Sequence, residues 1–470
     1  MSDRYLAFVC SPLGRRLAGI LGLPRPVVLD RFESRWPVLQ GEVLIGAVAP
    51  SGGVIEALAG VSRALRLDTV AHDSVPAWTA LANAAGLMSG PWRVGAGPAG
   101  RLKALILDAT MLDCTASAAI LHGFFQQALP CLKPCSRIVV LGRPPETCER
   151  VEHATMQRAL EGFVRSLAKE LGRGSTAQLV EVAPGGESGL TGVLGFLLSP
   201  RSAYVSGQVL RVSASGEPLL PFDPMEPPLV GRTLMVTGAA RGIGEAIALT
   251  LARDGARVVC VDLPQHATAL DQLAQRVGGA ALTLDITAAD AAERLRDAAQ
   301  ADGGWDGVVH NAGITQDRRI ERMRIERWQS VLSVNLAAPL AINQALLDAA
   351  ALKRSARIVV LSSIAGLAGN RGQTNYAFSK AGLVGLAQAS ARSFQDRGIA
   401  FNAVAPGFIE TAMTAAIPFA IREAGRRMNS LAQGGQPIDV AEAVAWLASP
   451  AAAGVNGQVL RVCGQSLLGA

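Results

Sequence analysis

The sequence lacks an unbroken run of the ~20 apolar residues that a membrane-spanning helix needs. Half of its 470 residues are hydrophobic, and the mean hydropathy is +0.29. Uncharged stretches such as 43–55 contain Pro and Gly and are too short to span a bilayer. The opening residues MSDRYLAFVC carry early charges and no apolar signal-peptide core. We therefore expect a cytoplasmic protein without a membrane span.

Paired cysteines are also missing. The seven cysteines are scattered, and no Cys-x-x-Cys or Cys–His spacing recurs. Cys131 and Cys135 would share a helix face, but Pro130 and Pro134 interrupt that segment. We expect no metal site and no disulfide, and we interpret the thiols as small buried side chains.

Basic charge is present but not clustered in a run. The formal net charge is +6 and the sequence pI is about 9.1, yet the Lys and Arg residues are dispersed. This distribution argues against nucleic-acid binding and suits an acidic or phosphorylated partner. Only 17% of the residues are charged, which is typical of a folded protein with a large core.

Internal repetition organises the chain. RIVVL occurs at 137–141 and again at 357–361. Two further pairs recur in the same order: SGQVLRV with NGQVLRV, and EVAPGGE with AVAPGFIE. Matches in one order across two halves indicate a duplicated domain rather than a short-period solenoid. We predict domains at 1–212 and 230–470, joined by a proline-rich linker at 213–229.

Each half alternates apolar strands with helical patterns. In the second half LMVTG, ARVVCVD and GVVHNAG read as strands, and EAIALTLARDG reads as a helix. Near-continuous apolar strands alternating with helices predict a parallel sheet covered on both faces. We expect a doubly wound, Rossmann-like α/β fold in two tandem domains, of which the first is degenerate and smaller.

The second half carries about 28 extra residues directly after its APG turn, at 408–436. In open α/β sheets ligands bind at the carboxyl ends of the strands. An insertion at this place is therefore a candidate lid.

TGAARGIG (237–244) follows the first strand of the second half and opens a helix. Glycines at such a turn let backbone amides approach a pyrophosphate, which the positive end of the helix favours. Asp262 ends the next strand, where a carboxylate binds both ribose hydroxyls of an adenosine and repels a 2′-phosphate. We therefore expect NADH rather than NADPH, with the charge of Arg241 as the opposing observation.

Four further motifs follow in order: HNAG (310–313), VNL (334–336), SSIAG (362–366) and YAFSK (376–380). A Tyr-x-x-x-Lys pair alone is common on any helix. Its combination with a Ser thirteen positions earlier, a preceding VNL and the glycine loop is specific. On these motifs residues 230–470 resemble the short-chain dehydrogenase/reductase family.

GQTNYAFSKAGLVG and NAVAPGFIETAMT bring the resemblance closest to the 3-oxoacyl-[acyl-carrier-protein] reductases. With a degenerate domain in front, the whole chain resembles the high-molecular-weight form of that reductase. HNAG departs from the family's usual NNAG, and we expect His310 to alter only the packing at the strand end.

The resemblance implies a catalytic tetrad. Tyr376 would be the proton donor to the ketone, and Lys380 would lower the pKa of Tyr376 and bind the nicotinamide ribose. Ser363 would hold the carbonyl oxygen, and Asn335 would hold a water that resupplies the proton. The resemblance and the loop chemistry together give the following expected cofactor contacts: Gly238, Arg241, Gly242, Ile243, Gly244, Asp262, Asp285, Asn311, Ala312, Gly313, Tyr376, Lys380, Pro406, Gly407, Ile409 and Thr411.

The first half has lost these groups. Aligning the repeats places His153 opposite the Tyr, Gln157 opposite the Lys, Arg143 opposite the Ser and Ala118 opposite the Asn. Its glycine loop has become GAVAPSGG. We predict a non-catalytic domain that stabilises or interacts; a new active site built from His153 and Arg143 is the alternative.

The resemblance implies reduction of a 3-oxoacyl thioester carried by acyl carrier protein or coenzyme A. The candidate lid offers an apolar stripe for an acyl chain, and Arg422, Arg426 and Arg427 on it would suit phosphates. Arg354 and Arg397 stand where related reductases meet the carrier protein. Related reductases also associate through the helices that carry the Asn and the Tyr-x-x-x-Lys motif, so we expect a homodimer.

The sequence motifs are also compatible with two other functions. The tetrad is shared by short-chain dehydrogenases that act on other ketones or secondary alcohols, and a substrate panel would separate these from the thioester reductase. A non-enzymatic NADH-binding scaffold or sensor is the second, although pure binding needs no proton relay.

Overall fold

The structure is a computed structural model that describes residues 3–33, 38–49, 51–93, 102–214, 226–415 and 417–466. The chain divides into two compact units: unit 1 is Met1–Glu226 with Glu423–Gly434, and unit 2 is Pro227–Arg422 with Gly435–Ala470. Most of the predicted linker, 215–225, lies outside the described residues. The two units are of similar length, so the first is not distinctly the smaller one.

The segment Glu423–Gly434 differs from the prediction, which placed it in the second domain. Within unit 1 the guanidinium of Arg427 donates hydrogen bonds to both carboxylate oxygens of Asp3, at 2.6 and 2.7 Å. The side-chain amide of Gln433 donates to the carbonyl oxygen of Val27 at 2.9 Å. These partners are hundreds of positions away in the chain, so no local pattern in the sequence could assign the segment to unit 1.

Unit 1 contains one parallel sheet. Its strands, β1 to β7, are Glu42–Ala47, Asp68–Ala71, Gly90–Pro91, Leu102–Asp108, Leu132–Gly142, Thr176–Val182 and Gln208–Val212. The helices of the chain before residue 213, α1 to α7, are Arg4–Cys10, Pro12–Ile20, Ile55–Ala64, Trp78–Ala84, Ala118–Ala128, Val151–Glu170 and Leu190–Leu197. Over the described residues the strand order is β3-β2-β1-β4-β5-β6-β7.

Unit 2 repeats this arrangement. Its strands, β8 to β14, are Thr233–Thr237, Arg257–Asp262, Ala280–Thr283, Trp305–His310, Leu352–Leu361, Ala400–Pro406 and Val459–Val462. The helices after residue 230, α8 to α17, are Gly242–Arg253, Ala267–Arg276, Ala291–Ala301, Ile325–Leu332, Ala338–Asp348, Ile364–Ala368, Thr374–Ser393, Ala412–Ala415, Phe419–Arg427 and Pro437–Leu447. The described strands follow the order β10-β9-β8-β11-β12-β13-β14.

The repeated strands of the sequence occupy the same places in the two sheets. RIVVL lies in β5 of unit 1 and in β12 of unit 2, and each of these strands is fifth in its sheet. Val139 and Val359 at the centres of the two copies have no exposed surface. A strand buried on both faces is apolar throughout, which is why both copies keep the motif. The doubly wound fold in tandem domains is thereby confirmed.

The topology of unit 2 defines where a ligand binds. β8 lies between β9 and β11, so the chain leaves β8 in one direction across the sheet and later returns to its other side. At such a reversal the loops that follow the strands diverge and open a crevice at the carboxyl edge of the sheet. The glycine loop follows β8 and the HNAG motif ends β11, so both lie at this crevice.

One helical run, Ile325–Asp348, is long and apolar enough to cross a membrane by length and composition alone. Core helices of soluble proteins pass the same test. Asn335 in the middle of the run is fully buried and hydrogen-bonds within the fold, as described below.

Candidate active site

The glycine loop between β8 and α8 leaves room for a ligand against its backbone. Gly238 and Gly242 have φ of +65° and +64°, a left-handed region that favours glycine. A Cβ at Gly244 would lie 2.0 Å from the carbonyl oxygen of Gly238. No side chain caps the start of α8 at Arg241, so the helix amides from Gly242 onward are available to an anion. The loop therefore fits the pyrophosphate of a dinucleotide.

The HNAG motif supports this loop. The side-chain nitrogen Nδ2 of Asn311 donates to the carbonyl oxygens of Thr237 and Gly238, both at 3.0 Å. A Cβ at Gly238 would lie 2.9 Å from the Cα of Ala312. Asn311, predicted beside the adenosine ribose, thus uses its side chain to fix the conformation of the loop.

Asp262 ends β9 next to the glycine loop. Its Oδ2 accepts a hydrogen bond from the backbone amide of Ala240 at 2.9 Å, and its Oδ1 accepts from that of Leu263 at 2.8 Å. His266 Nδ1 lies 2.8 Å from the same Oδ1. The sequence did not single out His266, although its position one helical turn after Asp262 is the signal that would have found it. Asp262 is held against the loop, as a carboxylate that selects the ribose must be.

Asp285 follows β10 and is exposed. Its Oδ1 accepts hydrogen bonds from the backbone amide and the hydroxyl of Thr287, at 2.9 and 2.7 Å. This turn fixes the loop after β10, where the predicted adenine contact would lie.

Tyr376 and Lys380 lie one turn apart on α14, close to the end of β12. Lys380 Nζ donates to the carbonyl oxygen of Leu361 at 2.7 Å and lies 5.6 Å from the centre of the Tyr376 ring. Ser363, directly after β12, hydrogen-bonds to the Tyr376 side chain. The neighbouring Ser362 donates to the carbonyl oxygen of Lys380 at 2.7 Å and ties α14 to the strand end. The structure therefore brings three members of the predicted tetrad together.

The fourth member, Asn335, lies in a π-helical turn, Ser333–Ala337, between α11 and α12. Its Oδ1 accepts from the backbone amide of Ile314 at 2.8 Å, and its Nδ2 donates to the carbonyl oxygen of that residue and to Ser379 Oγ, both at 3.0 Å. A Cβ at Gly313 would lie 3.2 Å from Lys380 Nζ and 3.3 Å from Asn335 Oδ1. Gly313 is thus the point where Lys380 and Asn335 approach each other.

Burial changes the acid–base properties of the pair. Burial raises the pKa of Tyr376, the Ser363 hydroxyl opposes that rise, and the charge of Asp317 adds to it. Burial also lowers the pKa of Lys380 to about 8. A protonated phenol next to a lysine that titrates near neutrality is suited to general acid chemistry.

The remaining predicted contacts follow β13. A Cβ at Gly407 would lie 2.6 Å from the Cβ of Cys463, so the chain passes close to the end of the sheet there. Ile409 is buried and pairs with Gly435 as an isolated parallel bridge. The amide of Thr411 donates to Thr414 Oγ1 at 2.9 Å. Pro406 ends β13 itself, so all four predicted contacts lie at the carboxyl edge.

Arg354 and Arg397, the predicted carrier-protein contacts, lie at the other edge. Arg354 is at the start of β12, whereas Ser363 follows the end of that strand. At about 3.3 Å per residue this places the two roughly 30 Å apart along the strand. Arg397 precedes β13 and donates to the carbonyl oxygen of Leu347 at 3.3 Å. Within one chain, the structure does not bring either arginine to the candidate site.

The matching positions in unit 1 bind backbone groups. Gln157, opposite Lys380, donates to three backbone carbonyls, and its Oε1 accepts from the amide of Arg143 at 2.7 Å. His153 contacts one of these carbonyls at 3.1 Å. The Arg143 guanidinium pairs with Glu187 at 2.9 Å. Each polar group that replaced a catalytic one holds the loops of unit 1 in place.

The start of α3, which corresponds to the nucleotide end of α8, is occupied by a carboxylate of the chain itself. Asp108 Oδ2 accepts from the amide of Val54 at 2.9 Å, and a Cβ at Gly53 would lie 2.7 Å from that oxygen. Asp108 ends β4 and is almost fully buried. Burial raises the pKa of Asp108, and its carboxyl group takes a backbone amide at the helix start that a pyrophosphate would need.

Comparison with known proteins matches the second half of the chain. A family model described as enoyl-(acyl carrier protein) reductase matches residues 238–464. The 3-oxoacyl-[acyl-carrier-protein] reductase of Vibrio cholerae is 39% identical over 237 residues, which are 50% of this chain and 97% of that protein. The enzyme of that name from Pseudomonas aeruginosa is 41% identical over 242 residues, 50% of this chain and 97% of its own. The Escherichia coli enzyme is 39% identical over 235 residues, with 50% and 96% covered.

Proposed function

The chain belongs to the short-chain dehydrogenase/reductase family, and on that premise we propose that unit 2 reduces 3-oxoacyl thioesters to 3-hydroxyacyl thioesters. Membership of the family implies a nicotinamide cofactor, and we propose NADH. The names of the similar proteins support the reaction, since each is a 3-oxoacyl-[acyl-carrier-protein] reductase. The thioester would be carried by acyl carrier protein or by coenzyme A.

The observation that carries the proposal is the convergence of Ser363, Tyr376 and Lys380 beside the glycine loop. Reduction of a ketone builds negative charge on the carbonyl oxygen, which then needs a hydrogen-bond donor and a proton. Tyr376 and Ser363 are in mutual contact and both present hydroxyls at the carboxyl edge. This is the donor pair that the reaction requires.

A nicotinamide cofactor would supply the hydride when bound, and the side chains of the site would supply and stabilise the proton. Tyr376 gives its phenolic proton to the carbonyl oxygen, while the Ser363 hydroxyl donates a hydrogen bond to the same oxygen. The Lys380 ammonium favours the phenolate that Tyr376 becomes, because an opposite charge nearby stabilises the ionised form. Asn335 would hold a water that connects Lys380 to solvent and resupplies the proton, and its hydrogen bonds to the backbone of Ile314 fix its side chain for this role.

The choice of NADH rests on Asp262. Its carboxylate adjoins the glycine loop through Ala240, so a 2′-phosphate on the adenosine ribose would meet a negative charge. Arg241 is exposed in the same loop and is the one group there that favours the phosphate. We propose that Asp262 prevails, because three hydrogen bonds fix its carboxylate next to the glycine loop.

Exposed apolar side chains support two further proposals, a contact surface for the acyl chain and a homodimer contact. Met413, Phe419 and Ile421 follow β13 and are 61%, 70% and 64% exposed, which suits contact with an acyl chain. Leu340 on α12 and Phe378 on α14 are 45% and 54% exposed. We propose that these two helices form a homodimer contact, which sedimentation of the chain over a range of concentrations tests.

The reaction is tested with the thioester of acetoacetate, with thioesters of other 3-oxoacyl groups and with simple ketones. Each substrate is assayed with NADH and with NADPH. We expect oxidation of NADH with the 3-oxoacyl thioesters and its loss in Tyr376→Phe. The matched control is Tyr5→Phe, since that hydroxyl donates to the carbonyl oxygen of Pro24 in unit 1 at 2.7 Å. Turnover of simple ketones alone would replace the thioester reductase by another dehydrogenase of the family. Cofactor binding without turnover of any substrate would favour a binding role.

A further inference from the structure

Five arginines occur within ten residues of unit 2, in the segment DRRIERMRIER (317–327), which follows β11 and ends in the first turn of α11. All five are exposed, at positions 318, 319, 322, 324 and 327. No function described so far uses them. Their number on one short segment is unusual for a chain whose basic residues are otherwise dispersed.

The neighbouring carboxylates neutralise only part of this charge. Arg319 pairs with Glu321 at 3.5 Å, and Arg324 pairs with Glu326 at 3.2 Å. The third carboxylate, Asp317, accepts instead from the side-chain amide of Gln373 at 2.8 Å. The structure describes no ion pair or hydrogen bond for the guanidinium groups of the other three residues, Arg318, Arg322 and Arg327, which we call the arginine rim.

The arginine rim borders the candidate active site. The amide of Arg318 donates to the carbonyl oxygen of Gly372 at 2.8 Å. Asn375, the residue before Tyr376, donates to the carbonyl oxygens of Gln316 at 3.2 Å and of Arg327 at 3.4 Å. Both ends of the segment are therefore fixed to the start of the helix that carries the proposed proton donor.

Of the three lid arginines expected to suit phosphates, Arg422 belongs to unit 2 and donates to the carbonyl oxygen of Ala415 at 3.0 Å, and the other two belong to unit 1. Arg426 is buried and pairs with Glu423, and Arg427 pairs with Asp3, all within unit 1. Arg354 and Arg397 lie at the opposite edge of the sheet, as described above. Apart from Lys380, which serves the proton transfer, the arginine rim is a cationic group on a segment whose backbone is tied to the start of α14.

We propose that the arginine rim binds the phosphate groups of coenzyme A and so holds the thioester substrate at the site. The inference rests on the proposed thioester reduction and names the carrier. Guanidinium groups bind phosphates with paired, charge-assisted hydrogen bonds. Coenzyme A carries a 3′-phosphate and a diphosphate, whereas the arm of a carrier protein has a single phosphodiester. Three unpaired guanidinium groups match the more highly charged ligand.

The test compares two thioesters that share the reacting group. Acetoacetyl-coenzyme A carries the phosphates, and the N-acetylcysteamine thioester of acetoacetate lacks them. In the variant with Arg318→Gln, Arg322→Gln and Arg327→Gln we expect KM for the coenzyme A thioester to rise about tenfold or more, with kcat within about twofold. The kinetics of the N-acetylcysteamine thioester should not change. Arg294→Gln, an exposed arginine on α10, is the matched control and should alter neither.

An equal loss with both thioesters, or no loss with either, would overturn the proposal. Acetoacetyl-[acyl-carrier-protein] is assayed as a third substrate, and a loss confined to it would overturn the proposal and assign the arginine rim to the carrier protein. If the unaltered chain reduces neither thioester, the proposed function fails, and titration calorimetry with coenzyme A itself then decides. Weaker binding in the triple variant would still support the arginine rim, and equal binding would overturn it.

Discussion

Lys380 Nζ lies 5.6 Å from the centre of the Tyr376 ring and is anchored by its hydrogen bond to the carbonyl oxygen of Leu361. The anchor comes from the end of β12, the strand that also delivers Ser363. One strand end thus positions both the lysine and the serine relative to the tyrosine. The chemistry proposed for unit 2 depends on this arrangement.

The first prediction concerns the pH dependence of reduction. Burial lowers the pKa of Lys380 to about 8, so the side chain is charged below that pH and neutral above it. Because the charge stabilises the phenolate of Tyr376, we expect kcat to fall as the pH rises through about 8. Lys380→Met should lower kcat by about 100-fold or more and remove this decline. Steady-state rates between about pH 6 and pH 10 measure both effects, and a level profile for the unaltered chain would contradict the role of Lys380.

The second prediction concerns stability in acid. His310 is fully buried at the end of β11, its Nε2 lies 2.8 Å from Asn343 Oδ1, and no partner for its Nδ1 is described. Burial lowers the pKa of His310 to about 4, against a small opposing contribution from Asn343. The native state therefore binds fewer protons than the unfolded state between about pH 4 and pH 6.5, and the free energy of unfolding falls as the pH falls across that window.

We expect this histidine to remove about 2 kcal/mol of stability between pH 7 and pH 5. His310→Asn should reduce that acid dependence, whatever its effect at neutral pH, and urea unfolding at the two pH values measures the difference. His122→Asn, at an exposed position of unit 1, is the control. An unchanged acid dependence in His310→Asn would show that the imidazole is not held neutral by burial.

The third prediction concerns the cofactor. If the Asp262 carboxylate repels a 2′-phosphate, Asp262→Ser should shift the ratio of kcat/KM for NADPH to that for NADH upward by about tenfold or more. Asp262→Ser removes the hydrogen bond to Ala240 and is therefore expected to disturb the glycine loop. The ratio is insensitive to this disturbance, because it affects both cofactors. Asp271→Asn, exposed on α9, should leave the ratio unchanged. A variant that loses both activities in equal proportion would assign Asp262 a purely structural role.

The fourth prediction concerns unit 1. Because Asp108 occupies the amide at the start of α3, we expect the chain to bind one dinucleotide and not two. Titration calorimetry with NADH gives this stoichiometry directly. Two sites per chain would contradict the closure of the first one by Asp108.

The sequence predicted the parts of the structure that depend on local patterns. The RIVVL repeats predicted the equivalent strands β5 and β12, since a strand buried on both faces must be apolar. The spacing between Tyr376 and Lys380 predicted their common helix face, because residues four apart are neighbours on a helix. The separation of Ser363 from Tyr376 fits the path of the chain from the end of β12 to the start of α14.

The parts that depend on distant contacts were not predictable in the same way. The assignment of Glu423–Gly434 to unit 1 rests on Asp3 and Val27, which no pattern near residue 430 reveals. His266 pairs with Asp262, and Asp108 accepts the hydrogen bond of the amide at the start of α3. Both contacts depend on side-chain directions that only packing determines. The arginines of the rim can be read from the sequence, but the position of their segment beside Tyr376 follows from the hydrogen bonds of Asn375.

The central claim is hydride transfer to the 3-oxo carbon of an acyl thioester at the Tyr376 site. Its most direct test is a reaction of acetoacetyl-coenzyme A with NADH deuterated on one or the other face of C4, followed by mass spectrometry of the product. We predict a 3-hydroxybutanoyl thioester with deuterium on C3 from one labelled face only, and its absence in Tyr376→Phe. Oxidation of the cofactor without deuterium at C3, or an unchanged yield in the variant, would contradict the account.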